Sequence, residues 1–277
     1  MYSMSKRMTI SKWLSVVILS SLLMGTGIAH EFWIEPDSYR VDEQSELVAY
    51  LRNGENFEGS PNVYLSSNTT RFDLVSSDQQ NPVIAREGDS PALKMQAQQP
   101  GLTVVVHQSS VSVLTYTKWE KFQRFADHKD FPNIRARHKA RSLAEHYFKE
   151  AYTRFSKSLI AVNDGAGEDR KTGLEIELVA LQNPYTDDLS EGMKVIAYYK
   201  DEIHPNAQIE LFEKSPNNEV KITLHRTDDK GMVVLPVRPS YRYLVDTVVL
   251  REPSKDLAKQ KNVVWETLWA SLTFSVP

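Results

Sequence analysis

The chain has 277 residues, 41% hydrophobic and 25% charged, with 33 Lys+Arg against 36 Asp+Glu for a formal net charge of -3. That balance is ordinary for a globular protein; it excludes the clustered basic surface that nucleic acid rewards, so nucleic acid is not an expected partner. The chain has no cysteine, which excludes disulfides, thiolate metal sites, a Cys nucleophile, a lipidated cysteine, and iron–sulfur or c-type haem attachment.

Lys6, Arg7 and Lys12 precede a run over residues 13–28 that is almost wholly apolar or small. This is the pattern of a secretory signal, expected over residues 1–29 with cleavage after Ala29. Cleavage would remove three bases and no acid, taking the net charge from -3 to -6. It predicts a periplasmic protein whose first residue is His30; an uncleaved signal acting as an anchor is the alternative. No later apolar run approaches the roughly 20 residues of a membrane helix, so no stable membrane insertion is expected after cleavage.

Short strands are expected at residues 46–51, 62–65, 70–75, 92–97 and 102–107, separated by Gly, Pro, Asn and Ser. The last is continuously apolar and β-branched, as a strand buried on both faces would be. The period then changes. Residues 118–127 read as one short helix and 135–162 as a longer one, because Leu143, Tyr147, Phe148, Ala151, Tyr152, Phe155 and Leu159 recur at three- and four-residue steps. Residues 163–169 are small and polar, as a linker is. Strands return at 174–179, 194–199, 208–213, 220–225, 232–237, 243–250 and 269–276. The expected fold is mainly β: two β-sandwich domains, immunoglobulin-like or prealbumin-like, with a helical segment between them. The expected boundaries are 30–117 for the first sandwich, 118–162 for a helical segment packed on it, 163–173 for the linker and 174–277 for the second sandwich.

An amino-terminal histidine can close a chelate ring on one metal ion through its α-amine and imidazole Nδ1. These donors suit a divalent transition metal ion such as nickel, cobalt, copper, zinc or iron. His30 is therefore the first candidate ligand, against the plain alternative that some residue must follow a cleavage site. His107, ending a core-like strand, could face it from a sandwich rim or be a hydrogen-bonded strand histidine. Glu31 is the third candidate, but neighbouring side chains in extended chain point to opposite faces, so it needs a bend to join the same ion. His138 and His146 are too far apart on one helix to chelate together, and the 127–130 stretch Asp-His-Lys-Asp reads as a solvated helix end. Lys157 and Arg154 suggest a buried ion-pair lock or an anion site. Asp246, in a β-branched strand, needs a partner such as Arg251 or Arg154. Trp33, Trp119, Trp265 and Trp269 read as core aromatics.

Several stretches together resemble a known family. They are Ala29-His30-Glu31-Phe32-Trp33-Ile34-Glu35-Pro36, Leu114-Thr115-Tyr116 with Trp119-Glu120-Lys121-Phe122, and Tyr152-Thr153-Arg154-Phe155-Ser156-Lys157-Ser158-Leu159, followed by Asn183-Pro184-Tyr185, Thr227-Asp228-Asp229-Lys230-Gly231 and Trp265-Glu266-Thr267-Leu268-Trp269-Ala270-Ser271-Leu272-Thr273-Phe274. The chain is similar to the domain of unknown function numbered 4198, a group labelled as periplasmic components of cobalt or nickel uptake systems. Where that family carries a histidine after the strand equivalent to residues 243–246, this chain has Val248 and Val249. The resemblance implies metal handling at the cell envelope, with a metal transporter as partner. The expected function is metal binding through His30, with His107 and Glu31 as candidate ligands. The rivals are a metal-free envelope sandwich module and a mononuclear copper redox enzyme; nothing in the sequence demands catalysis.

Overall fold

The computed structural model describes residues 30–77 and 79–277, so the expected signal, 1–29, lies outside the described residues. In chain order the first half comprises β1 (Glu31–Pro36), β2 (Arg40–Val41), β3 (Glu46–Glu55), β4 (Glu58–Asn62), β5 (Thr69–Val75), β6 (Gln80–Pro82), β7 (Leu93–Gln96), β8 (Gly101–Ser109) and β9 (Ser112–Tyr116), then α1 (Trp119–His128) and α2 (Ile134–Ala140). The second half comprises β10 (Phe148–Val162), β11 (Ile176–Ala180), β12 (Met193–Tyr199), β13 (Glu202–Ile203), β14 (Gln208–Lys214), β15 (Val220–Arg226), β16 (Met232–Leu235), β17 (Arg242–Arg251), α3 (Lys255–Lys261) and β18 (Trp265–Ser275). The chain is mainly β and its sheets pack as sandwiches, as the alternation and turn spacing predict.

The helix expected over 135–162 is a correction. Only Ile134–Ala140 is helical there, and Phe148–Val162 is a 15-residue strand. The three- and four-residue spacing of its apolar residues is incidental, because β10 is buried on both faces and shows no clean polar alternation. The strand organises the molecule. It pairs in parallel with β18 over Glu150–Ser158, antiparallel with β9 at one end, and antiparallel with β8 at the other. The resulting ten-stranded sheet runs β15-β14-β17-β18-β10-β8-β5-β6, with β2 and β9 also on β10. It is continuous across the expected linker at 163–173. Two four-stranded sheets cover it: β1-β3-β4 with β7, and β11-β12-β13 with β16.

The two faces of the sheet's middle differ in chemistry. On one, Ile209, Leu211, Tyr243, Val245, Leu268, Ala270, Leu272, Phe274, Phe155 and Leu159 form a single apolar core with Leu178, Met193, Val195 and Leu235 of the facing sheet. On the other, Glu210 lies opposite Asp246, Asp246 opposite Ser271, and Ser271 opposite Ser156, so one row across four strands is polar. β1 crosses this row and supplies acceptors: Ser156 Oγ donates to the Phe32 carbonyl at 3.3 Å and Thr273 Oγ1 to that of Ile34 at 2.7 Å. Next to β1, α1 seals the same face. Its Trp119, Phe122 and Phe125 pack on Tyr116 of β9 and Phe148 of β10 and on Val248, Leu250, Trp265 and Trp269, so the helix bridges the end of the first half and the C-terminal strands.

Lys157 projects from β10 to the apolar face. Its Nζ sits 2.7 Å from Asp169 and 3.1 Å from Glu177 and donates to the Arg170 carbonyl at 3.0 Å, with all three charged side chains closed to solvent. This is the ion-pair lock suggested by the sequence, carried by a strand in place of a helix. Removing one partner of a buried pair strands the others. Lys157→Ala is therefore expected to cost about 3–5 kcal/mol of unfolding free energy, measurable as a lower urea midpoint.

Candidate functional site

The polar row becomes a charge cluster where α1 ends. The helix is held by its apolar face, and Gln208 of β14 donates to the His128 carbonyl at 2.8 Å, which pins its last turn over the sheet. Asp130 adopts a left-handed φ of 56° and turns the chain away. Lys129, the residue between, is thereby driven inward and is only 4% exposed. Its ammonium lies 2.9 Å from Asp246, 3.0 Å from Glu210 and 3.3 Å from Glu31, and 4.9 Å from the centre of the Trp269 ring. His128 Nε2 is 3.4 Å from the same Glu210 oxygen, and its side chain remains 42% exposed.

The electrostatics follow from one ammonium among three buried carboxylates. Burial works against the Lys129 charge, but Asp246, Glu210 and Glu31 outweigh it and hold its pKa above the ordinary lysine value. Burial also opposes ionisation of Glu210; the His128 hydrogen bond and Lys129 prevail and keep it below the usual carboxylate range. For Glu31 the balance reverses. Burial, reinforced by Asp246 and Glu210 and only partly offset by Lys129, pushes it up to about 7. Asp246 is likewise raised by burial against the pull of Lys129. The Glu210 hydrogen bond raises His128.

A cleft of about 280 Å³ opens beside this cluster, lined in part by His30, Tyr116, Glu150, Tyr152, Arg154 and Trp269. Arg154 lies over Trp269 at 4.5 Å and over Tyr152 at 5.3 Å, and one of its terminal nitrogens has no hydrogen-bond partner. Glu150 accepts from Thr267 Oγ1, while its other oxygen is buried without a partner. Burial pushes this carboxyl to about 7, against the hydrogen bond from Thr267.

The three candidate ligands fall in three places. His30 stands at the rim of the cleft, half-exposed, with Nε2 3.2 Å from Glu55 Oε1. Glu31 begins β1, which is extended from its first residue, so no bend turns it toward His30; it points instead into the Lys129 cluster. His107 lies on the wall of a neighbouring cleft of about 280 Å³ that shares Asn53, Tyr152 and Arg154 with the first. It is 2% exposed, packs against the rings of Phe32 and Phe72, and bonds Thr69 Oγ1 at 3.3 Å. Burial depresses its pKa to about 3, so it is neutral. His138 is structural: Trp265 Nε1 donates to its Nδ1 at 3.0 Å, which leaves Nε2–H to donate to the Ala144 carbonyl at 2.9 Å.

Sequence reasoning missed His128, Lys129 and Glu210. The 127–130 stretch is a helix end, but only its flanks are solvated. Asp246 does have a buried partner, and that partner is Lys129 at 2.9 Å. Arg251 is engaged elsewhere, with Glu175 and Glu266. The one available signal was the demand of Asp246 for a base.

Glu150 also makes a test of these environments. Its folded pKa of about 7 lies above the ordinary carboxylate value of 4.5, so its stabilising contribution is present below pH 4.5 and is lost as pH rises through 7. Relative to the parent, Glu150→Gln is expected to gain stability above pH 7 and to change little below pH 4.5, read as the difference in urea midpoints across that window.

A search of curated proteins finds no match. Among solved structures, the chain is similar to the D0-D1 domain of Intimin at 11% identity, covering 88% of this chain and 97% of that one. The TM-score of 0.20 is too low to carry any argument. The family model described as Domain of unknown function (DUF4198) matches residues 28–251, a span that holds His30, Glu31, the α1 end, Arg154, Glu210 and Asp246. The chain belongs to that family.

Proposed function

We propose that this is an exported, periplasmic transition-metal-binding protein that captures nickel, cobalt or a related ion through His30 and passes it to a metal transporter of the envelope. The observation that carries this reading is the Glu55 carboxylate 3.2 Å from His30 Nε2 on a half-exposed side chain. A histidine that binds metal through one ring nitrogen commonly donates the other N–H to a carboxylate, which fixes the tautomer and raises ligand basicity. A carboxylate beside Nε2 favours the proton on that nitrogen, which would leave Nδ1 as the lone-pair nitrogen. Nδ1 is the nitrogen that closes a chelate ring with a free α-amine, so cleavage after Ala29 would complete a two-nitrogen site already oriented by β3.

A copper oxidase reading needs a second histidine at the same ion. His107 is engaged with Thr69 in the neighbouring cleft, which favours capture over turnover.

The test is intact mass and metal content of protein recovered from the periplasm. The expected mature chain begins at His30 and carries the ion; His30→Ala, or one extra residue placed before His30, removes it. Glu55→Gln is expected to weaken binding about 10-fold or more by loosening the imidazole. A different start, or equal metal in parent and His30→Ala, rejects the proposal.

A further inference from the structure

We infer that Glu31, His128 and Glu210 form a second, interior binding site for one divalent ion of the zinc or cobalt kind, independent of the terminal chelate, with Lys129 as the tethered cation that the ion partly displaces. One ligand atom from each of the three lies within 4.8 Å of the others. Two carboxylates and an imidazole suit borderline divalent ions with nitrogen and oxygen preferences. Such an ion holds its ligands at about 2.1 Å, hence about 3.4 Å from one another, so the triad must close by roughly an ångström, within the reach of side-chain rotation.

Three further observations point to a cation. Glu210 is 2% exposed, yet its second oxygen has no hydrogen-bond partner, and a bare buried carboxylate oxygen is costly unless something takes it up. The formal charge of the cluster is unbalanced: Glu31, Glu210 and Asp246 surround a single ammonium. Arg154, stacked on Trp269, acts on them at longer range. Carboxylates outnumber cations in this cluster, and a divalent ion supplies positive charge there. Finally, the site has an entrance and a place for the displaced group. His128, 42% exposed, leads from solvent to the two closed carboxylates, while Lys129 can withdraw from Glu31 and Glu210 and keep Asp246 at 2.9 Å and the Trp269 face.

The experiment uses the mature chain carrying His30→Ala, titrated with Co²⁺ and followed by bound metal and by visible absorption. About one Co²⁺ per chain is expected in this background. Adding His128→Ala removes one ligand while Lys129 still pairs Glu210 at 3.0 Å, and is expected to weaken binding at least about 10-fold. Adding Lys129→Met in its place lowers the metal-free Tm by stranding three acids, but it removes the competing ammonium and is expected to tighten Co²⁺ binding and enlarge the rise in Tm on metal addition. A purely structural ion-pair lock gives no Co²⁺ in the His30→Ala background, or binding indifferent to His128 and Lys129; either result overturns the inference. Metal lost entirely with His30 overturns this site and leaves the terminal chelate standing. Metal lost only with His128 does the reverse.

Discussion

Glu31, Glu210 and Asp246 share an interior from which water is largely excluded, and the Lys129 ammonium is the group that permits it. Each carboxylate comes from a different strand, β1, β14 and β17, and the ammonium comes from the end of α1. The interaction therefore does more than neutralise charge. It fixes where the helix stops, how deeply β1 beds on the polar row, and which side of β14 and β17 faces inward. Burying several acids around one base is a poor source of net stability, because desolvation consumes most of the Coulomb gain. Its effect is on arrangement: displaced by a few ångströms, any of these elements leaves a charge stranded.

A second buried lysine repeats the logic on the opposite face. Lys157 reaches through the apolar side to Asp169 and Glu177 of the segment leading into and along β11. A buried lysine thus ties the central sheet to its neighbours on each face, with serine and threonine hydroxyls filling the polar row. Ser271 donates to Ser156 at 2.8 Å, while Thr273 gives its one proton to the Ile34 carbonyl and accepts from Ser158 at 2.8 Å. Polar residues at the centre of a sheet normally mark a solvated surface. Here they mark a face covered by an extended strand, whose free carbonyls need donors.

That inversion explains what the sequence conceals. The strands flanked by Gly, Pro and Asn were legible, and so was α1, because Trp119, Phe122, Phe125 and Ala126 follow helical spacing with one wet side. β10 was not. Lys149, Glu150, Arg154 and Lys157 look like the solvated face of a helix, and Phe148, Ala151, Phe155 and Leu159 like its buried one. The acids that take up Lys157 and the hydroxyl that reaches Glu150 lie 12 to 117 residues away, so no local pattern records that these side chains are inside. Lys129 escaped for the same reason: a lysine at a helix end is ordinarily in water, and only the three distant acids give it a reason to be inside. His30 was found because its chemistry depends on a cleavage motif rather than on packing. Glu55, its partner 25 positions along, is visible only once β1 and β3 are paired.

The parallel pairing of β10 with β18 also sets the order in which the molecule can assemble. β18 occupies the middle of the ten-stranded sheet, and its hydroxyls bond partners 115 residues earlier in the chain. Contacts of such separation incur their loop-closure entropy before they return any enthalpy, which slows folding. Until residues 265–275 arrive, β17 and β10 each present an unpaired edge, and the acids and hydroxyls of the polar row lack their neighbours. A nascent chain in that state is a template for strand addition by other chains. The feature that makes the finished sheet continuous therefore makes the unfinished one dependent on protection from aggregation until its central strand is inserted.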